Sequence, residues 1–481
     1  MDEALALDPD NREAGYLRCD LLLAAEAYGA ALGAADALVA SDANDAMAHW
    51  RRAWALLELN RFGEGLAAIE TAVRLAPDSY KFHVTRSALL SELGRLEEGL
   101  GALDDARRLG CPDADFYSAR ASYLAEHGVP GDSGEVLALL DRALALRPEN
   151  AQVHVARGLA RLTVGDWRGG WADLEWRLKY PDHSHNDFVK KGVPQWQGEE
   201  PLAGKRLVVY SEWDHGDTFQ FVRYLRLIEN SGAAITLAVP EAARRLLAAN
   251  FPGIDVTNFP GIDVTGFDYH VSLMSLPAIL GTTVETIPAT VPYLSPDPAL
   301  IAKWRERIGA EGYRVGIIWQ GSARYKRDRY RSIPLAAFAP LAAVPGVRLI
   351  SVQALVGLEQ LDAMPAGMKV EGLGDEIENN PDGFREMAGV MANLDLLIMS
   401  DTGPTHLASA LGRPVWLATP RNPEFCWGGV GEDTPWYPTM RLFRQETAGD
   451  WPGVFSRMAR ELRATVARSW QAASQRPADF R

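Results

Sequence analysis

The chain has 481 residues, 47% of them hydrophobic and 23% charged, with a formal net charge of −14. Such a length predicts two or three domains, and the composition predicts a folded chain rather than a disordered one. The acidic balance argues against a general nucleic-acid binder and against an anionic membrane surface, while leaving room for a local basic pocket. Cys19, Cys111 and Cys426 are far apart and odd in number, so neither a disulfide framework nor a zinc pattern follows. With no apolar run long enough to span a bilayer and no signal-peptide h-region, a cytoplasmic protein is expected.

Pro9, Ala43, Pro77, Pro112, Pro148 and Pro181 mark a period near 34 residues. Each interval holds two helical patterns joined by a short turn, such as Leu59-Asn60-Arg61-Phe62 or Leu93-Gly94-Arg95-Leu96. The unit between Pro112 and Pro148 is irregular around Gly128-Val129-Pro130-Gly131. This spacing resembles tetratricopeptide repeat proteins, over about five units in residues 1–182. Arrays of that kind stack into a superhelix whose groove holds a peptide or protein, so a protein partner is expected there. Met1 to Leu7 reads as the second helix of a unit, so earlier repeats are an expectation. Residues 183–203 read as a linker. His183 and His185 have no carboxylate or cysteine cluster beside them and read as loop rather than metal ligands.

From residue 204 the pattern becomes α/β. Arg206 to Ser211 is a buried strand, followed by Glu212-Trp213-Asp214-His215-Gly216-Asp217-Thr218 and a helix from Phe219. Asp217 either caps that helix or stands free at the mouth. Ile235 to Val239 and Phe267 to Val271 read as strands, and Glu241 to Asn250 as a helix. The heptapeptide Phe251 to Thr257 recurs at Phe259 to Thr265. In the next stretch Arg314 to Trp319 is a strand. It runs into a loop with five basic residues and one acid between Arg324 and Arg331, a sharp reversal of sign that reads as a phosphate pocket. Arg348 to Val352 is a strand ending at Gln353. Leu394 to Met399 is a strand covered on both faces, then Asp401-Thr402-Gly403 turns into a helix opened by Pro404 and stopped by Gly412. Its free N–H groups make an anion site, with Thr402, Thr405 and His406 as added side-chain donors and Gly403 allowing close approach. Residues 447–481 carry a terminal helix, Trp451 to Ala473.

Asp401-Thr402-Gly403-Pro404-Thr405-His406-Leu407-Ala408 resembles the D-T-G/A-x-x-H-L-A motif of the heptosyltransferase-like family 9 glycosyltransferases. Gly216-Asp217-Thr218 resembles that family's G-D motif. Pro435-Trp436-Tyr437-Pro438 resembles the ending of bacterial proteins that fuse tetratricopeptide repeats to such a domain. The resemblance implies an α + α/β chain, in which an all-α tetratricopeptide superhelix is followed by a two-lobed Rossmann-like GT-B domain. The acceptor lobe would span 204–296 and the nucleotide-sugar lobe 297–446. It further implies an inverting, metal-independent transfer from a nucleotide-sugar, the substrate, with no cofactor. Asp217 would be the base, flanked by Gly216 and Thr218. Thr402, Gly403 and Thr405 would hold the pyrophosphate, and Asp401 and His406 would lie near the sugar or ribose. Lys326 or Arg327 would neutralise the leaving group, and Gln353 would lie near the base or ribose. The acceptor would be a protein recruited by the repeats. Trp213-Asp214-His215 replaces the family's glycine-rich approach to the Asp, which leaves open two alternatives. One is a repeat scaffold with a degenerate GT-B domain, and the other is a transferase directed at a glycan or lipopolysaccharide.

Overall fold

The computed structural model describes residues 11–127, 133–180, 183–322, 325, 327–378, 380, 383–428 and 430–474. The opening helix read at Met1 to Leu7, the irregular turn at 128–131, and Lys326 lie outside them. The chain divides into two compact units, Met1–Ala160 and Arg161–Arg481.

The first unit is a stack of helical hairpins: Arg12–Ala24 with Tyr28–Ser41, Ala46–Glu58 with Phe62–Leu75, Tyr80–Glu92 with Leu96–Arg108, and Asp113–His127 with Ser133–Leu146. Leu56, Ile69, Leu89 and Leu90 lie in the apolar cluster shared by its first three hairpins. The period seen in the sequence has a structural cause. His49, His83 and His154 each place Nε2 2.8–3.0 Å from the carbonyl of the residue six earlier, which is Ala43, Pro77 or Pro148. These are the residues that mark the repeat. A second device recurs between helices: Arg52 pairs with Asp36 at 2.6 Å and Arg157 with Asp141 at 2.8 Å. Exposed pairs of this kind add little stability, but they recur in register with the repeat.

The second unit holds two parallel sheets. The first, in order β3-β2-β1-β4, is built from β1 (Arg206–Tyr210), β2 (Ala234–Val239), β3 (Asp255–Asn258) and β4 (Tyr269–Ser272). The second, in order β10-β9-β8-β5-β6-β7, contains β5 (Tyr313–Ile318), β6 (Val347–Ser351), β7 (Val370–Glu371), β8 (Leu396–Ser400), β9 (Val415–Thr419) and β10 (Met440–Arg444). All pairings are parallel, for example Leu207↔Ile235, Leu207↔Tyr269, Val315↔Leu396 and Leu397↔Val415. Every residue of β8 is buried, as its apolar run predicts. The two-lobed Rossmann-like arrangement expected from the sequence is present. In each sheet the chain reverses its winding direction once, between β1 and β4 and between β5 and β8. Such switch points open a crevice at the carboxyl ends of the strands. The helix Trp451–Ser474 packs Val454, Phe455, Met458 and Leu462 into the core of the second sheet. Among the described residues no helix is long and apolar enough to cross a membrane.

Residues 161–203 differ from the expected division into repeat and linker. Trp171 is buried edge-on to Phe221, Phe425 and Trp436, with ring centroids 5.8–6.5 Å apart. Residues 183–203 are not a free linker either. His185–Lys190 is a helix whose Phe188 stacks on Tyr210 at 4.7 Å and on His270 at 4.6 Å. Beside it, Arg177 is fully buried and bonds Glu212 through Nε at 3.0 Å and Nη2 at 2.7 Å, with Glu175 and Ser275 completing the set. Burial alone would raise the Glu212 carboxyl, but the Arg177 charge and the bonds from His183 and Arg177 outweigh it and hold the group down at about 2. Removing one partner of such a buried pair strands the other charge. Arg177→Met is therefore expected to cost about 3–5 kcal/mol in urea unfolding, with part of the loss recovered by adding Glu212→Gln.

Candidate functional site

The site lies at the two switch points. After β1 the chain passes through Ser211 to Asp214 and starts the helix His215–Phe221. After β8 it passes through Asp401 and Thr402 and starts the helix Gly403–Ala410. The two helix starts meet. A Cβ on Gly216 would lie 3.2 Å from His406 Cδ2 and 3.6 Å from the Gly403 Cα, and a Cβ on Gly403 would lie 3.3 Å from the Gly216 nitrogen. The absence of side chains at both positions lets the lobes approach this closely.

On the first-lobe side Asp214 caps its helix and accepts from the His215 N–H at 2.7 Å. The His215 side chain, with the backbone bond beside it, holds the Asp214 carboxyl at about 2 against the opposing effect of burial. Asp217 reaches back to the Asp214 N–H at 3.4 Å, so the two acids form a reciprocal capping box. The carboxyl of Asp217 is nonetheless raised to about 7, by burial first and then by the charges of Asp214, Glu424 and Glu212. Of the two readings of Asp217, the structure shows the cap, and the capping carboxyl is also raised to about 7. Thr218 is buried and turns its hydroxyl to the Asp214 carbonyl at 3.3 Å. Trp213, at the start of this loop, is 53% exposed and holds a left-handed φ of 54°. A bulky residue there stores strain.

On the second-lobe side Asp401 is buried, accepts from the Trp427 indole at 2.8 Å, and is raised to about 6 by burial and then by Glu424. Thr405 closes its hydroxyl on the Ser400 carbonyl at 2.7 Å, and Thr402 makes a longer bond to the same oxygen at 3.4 Å. The Thr405 side chain thus secures the turn. His406 is buried with Nδ1 2.8 Å from the Tyr437 hydroxyl, and burial, followed by the charges of Arg223 and Arg331, lowers it to about 3.

Gln353 is also committed within the protein. Its Oε1 accepts from the Trp319 and Gln320 N–H groups at 3.0 and 3.1 Å, and its Nε2 donates to the Gln320 carbonyl at 2.9 Å, which ties β6 to the end of β5. In the basic loop Arg327 donates to the Asn422 carbonyl at 3.1 Å and lies 3.6 Å from Glu424. Lys326 is outside the described residues. Sequence reasoning placed Arg331 in the basic loop but gave it no role of its own; its charge acts on Asp214, Asp401 and His406 together. Its signal was the (i, i+3) spacing from Asp328, which fixes it at 3.1 Å beside Gly321. Sequence reasoning missed Glu424, which acts on both Asp217 and Asp401 and accepts from the Tyr325 hydroxyl. Gly216, Asp217, Asp401, Gly403 and His406 are brought together, while Thr218, Thr405 and Gln353 support the walls.

Comparison with known proteins bears on this region. Residues 381–426 match the family model described as glycosyltransferase family 9 (heptosyltransferase). They cover β8, the Asp401 to His406 turn and β9. Protein FlbA of Caulobacter vibrioides is 30% identical over 366 residues, 69% of this chain and 59% of that protein. The chain therefore spans 59% of the length of that curated relative. Among solved structures, a glycosyl transferase family 9 protein from Veillonella parvula is 14% identical over 56% of this chain and 99% of its own, with a TM-score of 0.44. The E. coli ADP-heptose lps heptosyltransferase II is 14% identical over 55% and 99%, with a TM-score of 0.40. A thermophilic TPR protein of Thermus thermophilus is 22% identical over 37% and 96%, with a TM-score of 0.34. The chain joins tetratricopeptide-type repeats to a domain that carries a glycosyltransferase family 9 segment.

The raised Asp217 carboxyl has a stability consequence that needs no ligand. Below about pH 4 it is protonated in both folded and unfolded chains and costs nothing; above about 7 it is ionised in both, and the buried charge destabilises the fold. Asp217→Asn is therefore expected to melt at a higher temperature than the parent at pH 8 and at nearly the same temperature at pH 4, measured by calorimetry across that range.

Proposed function

We propose that this chain is a glycosyltransferase that moves a sugar from a nucleotide-sugar donor to an acceptor hydroxyl, with inversion at the anomeric carbon and with side-chain cations in place of a metal ion. The observation that most supports this is the meeting of Gly216, the residue before Asp217, with Gly403 and His406 at the start of helix Gly403–Ala410 across the two switch points. Asp217 takes the proton of the acceptor hydroxyl. The acceptor oxygen then bonds to the anomeric carbon from the face opposite the diphosphate, and the bond from that carbon to the diphosphate oxygen breaks. The charge left on the diphosphate is met by the Gly403 N–H at the helix start and by Arg331, Arg327 and Lys326. A carboxyl raised to about 7 suits a base working near neutral pH.

The repeats recruit the acceptor in this proposal, as a protein segment held along the hairpin stack. A second reading, a repeat scaffold whose GT-B domain is silent, is supported by Trp213 standing in a left-handed position at the acceptor mouth. One set of measurements separates the two. A ligand held a hundredfold above its dissociation constant adds about 2.7 kcal/mol of stability, so thermal shifts with UDP, GDP, ADP, CMP and dTDP and their sugars identify the donor. Asp217→Asn is expected to keep that shift and to lose roughly 10²–10⁴-fold in transfer rate. In the parent, kcat/KM for transfer is expected to rise with pH through about 7, as Asp217 loses its proton. Absence of any nucleotide shift would turn the assignment to the scaffold.

A further inference from the structure

Arg223 takes no part in the chemistry above, and it is a buried cation, 1% exposed, with no carboxylate bonded to it among the described residues. Its Nε donates to the Gln220 carbonyl at 2.8 Å and its Nη2 to the Tyr293 hydroxyl at 2.8 Å. Its Nη1 donates to the Trp436 carbonyl at 2.8 Å and, at a longer 3.4 Å, to the Pro288 carbonyl. A guanidinium carries five N–H groups, so these four bonds leave one N–H on Nη2 unused. The remaining neighbours are the rings of Tyr293, Trp436 and Tyr437. A charge buried among dipoles and rings alone is costly, and an anion brought beside it offsets that cost.

The same side chain lines a cavity of about 360 Å³, whose walls include Arg226, Pro288, Thr290, Tyr293 and Ser295. Pro288 and Tyr293 are bonded to Nη1 and Nη2, so the two terminal nitrogens of Arg223 stand on the cavity side. The cavity lies where residues 280–297 cross from the first lobe to the second. There the N–H groups of Tyr293 and Leu294 donate to the Ala410 carbonyl at 3.0 and 3.2 Å, at the far end of the helix that Gly403 begins. The donor crevice is at the other end of that helix. Arg226 is already balanced, with Nη1 3.0 Å from Glu229 and Nη2 donating to the Asn250 carbonyl at 2.8 Å. No carboxylate lines the cavity, and the Thr290 and Ser295 hydroxyls are bonded to no protein group among the described residues. The walls thus bring one uncompensated positive charge and several donors to one space.

We propose that this cavity is a second ligand site, separate from the donor crevice, that takes a small organic phosphate. The phosphate oxygens accept from the unused N–H of Arg223, from the Arg226 guanidinium and from the Thr290 and Ser295 hydroxyls, donors that stand on different walls. A phosphate monoester offers three terminal oxygens to such a set and a carboxylate only two, and guanidinium groups pair well with phosphate. Small-molecule sites run from about 300 to 1,000 Å³, so this one suits a small ligand, yet it is larger than a bare phosphate fills. The rest of the ligand is therefore a compact polar body of sugar size. Such a ligand would touch Tyr293, which joins the second-lobe helix at Ala410 to the first lobe at the Phe219 carbonyl, 2.8 Å from its hydroxyl. The site does not rest on the transferase reading.

The experiment is isothermal titration calorimetry of the full chain with glucose 6-phosphate, inorganic phosphate, glucose and citrate. Glucose 6-phosphate is expected to bind at one site, more tightly than inorganic phosphate or citrate, and glucose not at all. Arg223 is left in place, because its bonds hold the core, and the more exposed walls are changed instead. Arg226→Gln is expected to weaken glucose 6-phosphate about tenfold, the loss of one charged hydrogen bond. Ser295→Trp, which puts an indole into the cavity, is expected to abolish binding. Arg331→Gln, in the donor crevice, is expected to leave it unchanged. Binding that survives Ser295→Trp, or that is lost in Arg331→Gln, places the anion in the donor crevice and overturns the second site. No binding of glucose 6-phosphate or inorganic phosphate by the parent overturns it as well. Inorganic phosphate binding as tightly as glucose 6-phosphate overturns the organic body, and citrate binding more tightly than either overturns the choice of phosphate.

Discussion

The contact between Gly216 and Gly403 is the constraint on which the second unit depends. Two helices begin at the carboxyl ends of parallel strands in different sheets, and their first turns are separated by little more than a van der Waals distance. Any side chain at either position would have to push into the His406 ring or the opposite backbone. Helix starts attract negative charge, and both here are lined with acids, Asp214 and Asp217 on one side and Asp401 on the other. Of the three, only Asp214 is held low, because it is bonded to His215. The other two are raised by burial, so desolvation outweighs the pull of the helix ends.

Two buried arginines brace this contact in different ways. Arg177 is paired with carboxylates and fixes Glu212, the residue that follows Ser211 at the end of β1 and roots the loop carrying Asp214 and Asp217. Arg223 is surrounded by carbonyl and phenol oxygens and by the rings of Tyr293, Trp436 and Tyr437, 4.5–5.5 Å from its guanidinium carbon. With no carboxylate among those groups, its charge reaches His406 and adds to the effect of burial there. One arginine sets the backbone of the loop, and the charge of the other helps to keep the facing histidine neutral.

The strands and helices with strong apolar periodicity were legible in the sequence, as was the repeat, because each burial pattern is local. The pairing of Gly216-Asp217 with the Asp401 to His406 turn was legible through motif resemblance. What escaped was decided by tertiary contacts. The heptapeptide Phe251 to Thr257 ends in β3 in its first copy, with Asp255 to Thr257 in the strand, where β2 offers an edge to pair with. The identical Phe259 to Thr265 is loop, with Val264 tucked under the first sheet. Composition cannot separate two copies that differ only in neighbours. Thr405 and Gln353 looked available for a ligand because their types and positions suit one, but both are used up on nearby main chain. The boundary near 182 was misplaced because the periodic proline pattern continues past the point at which Trp171 and Arg177 turn to the second unit.

The protonation states at the site share one cause. Asp217 at about 7, Asp401 at about 6 and His406 at about 3 each owe their shift first to burial, not to any single charged neighbour. The burial is created jointly, since His406 in one lobe is covered by Gly216 in the other. Separating the lobes would admit water to all three groups and return each toward its ordinary value, lowering the two acids and raising the histidine. Asp217 would lose its match to neutral pH, and His406 would take up a proton more readily. Closure therefore supplies more than proximity: the contact that brings the two helix starts together also sets which groups in the site can accept a proton.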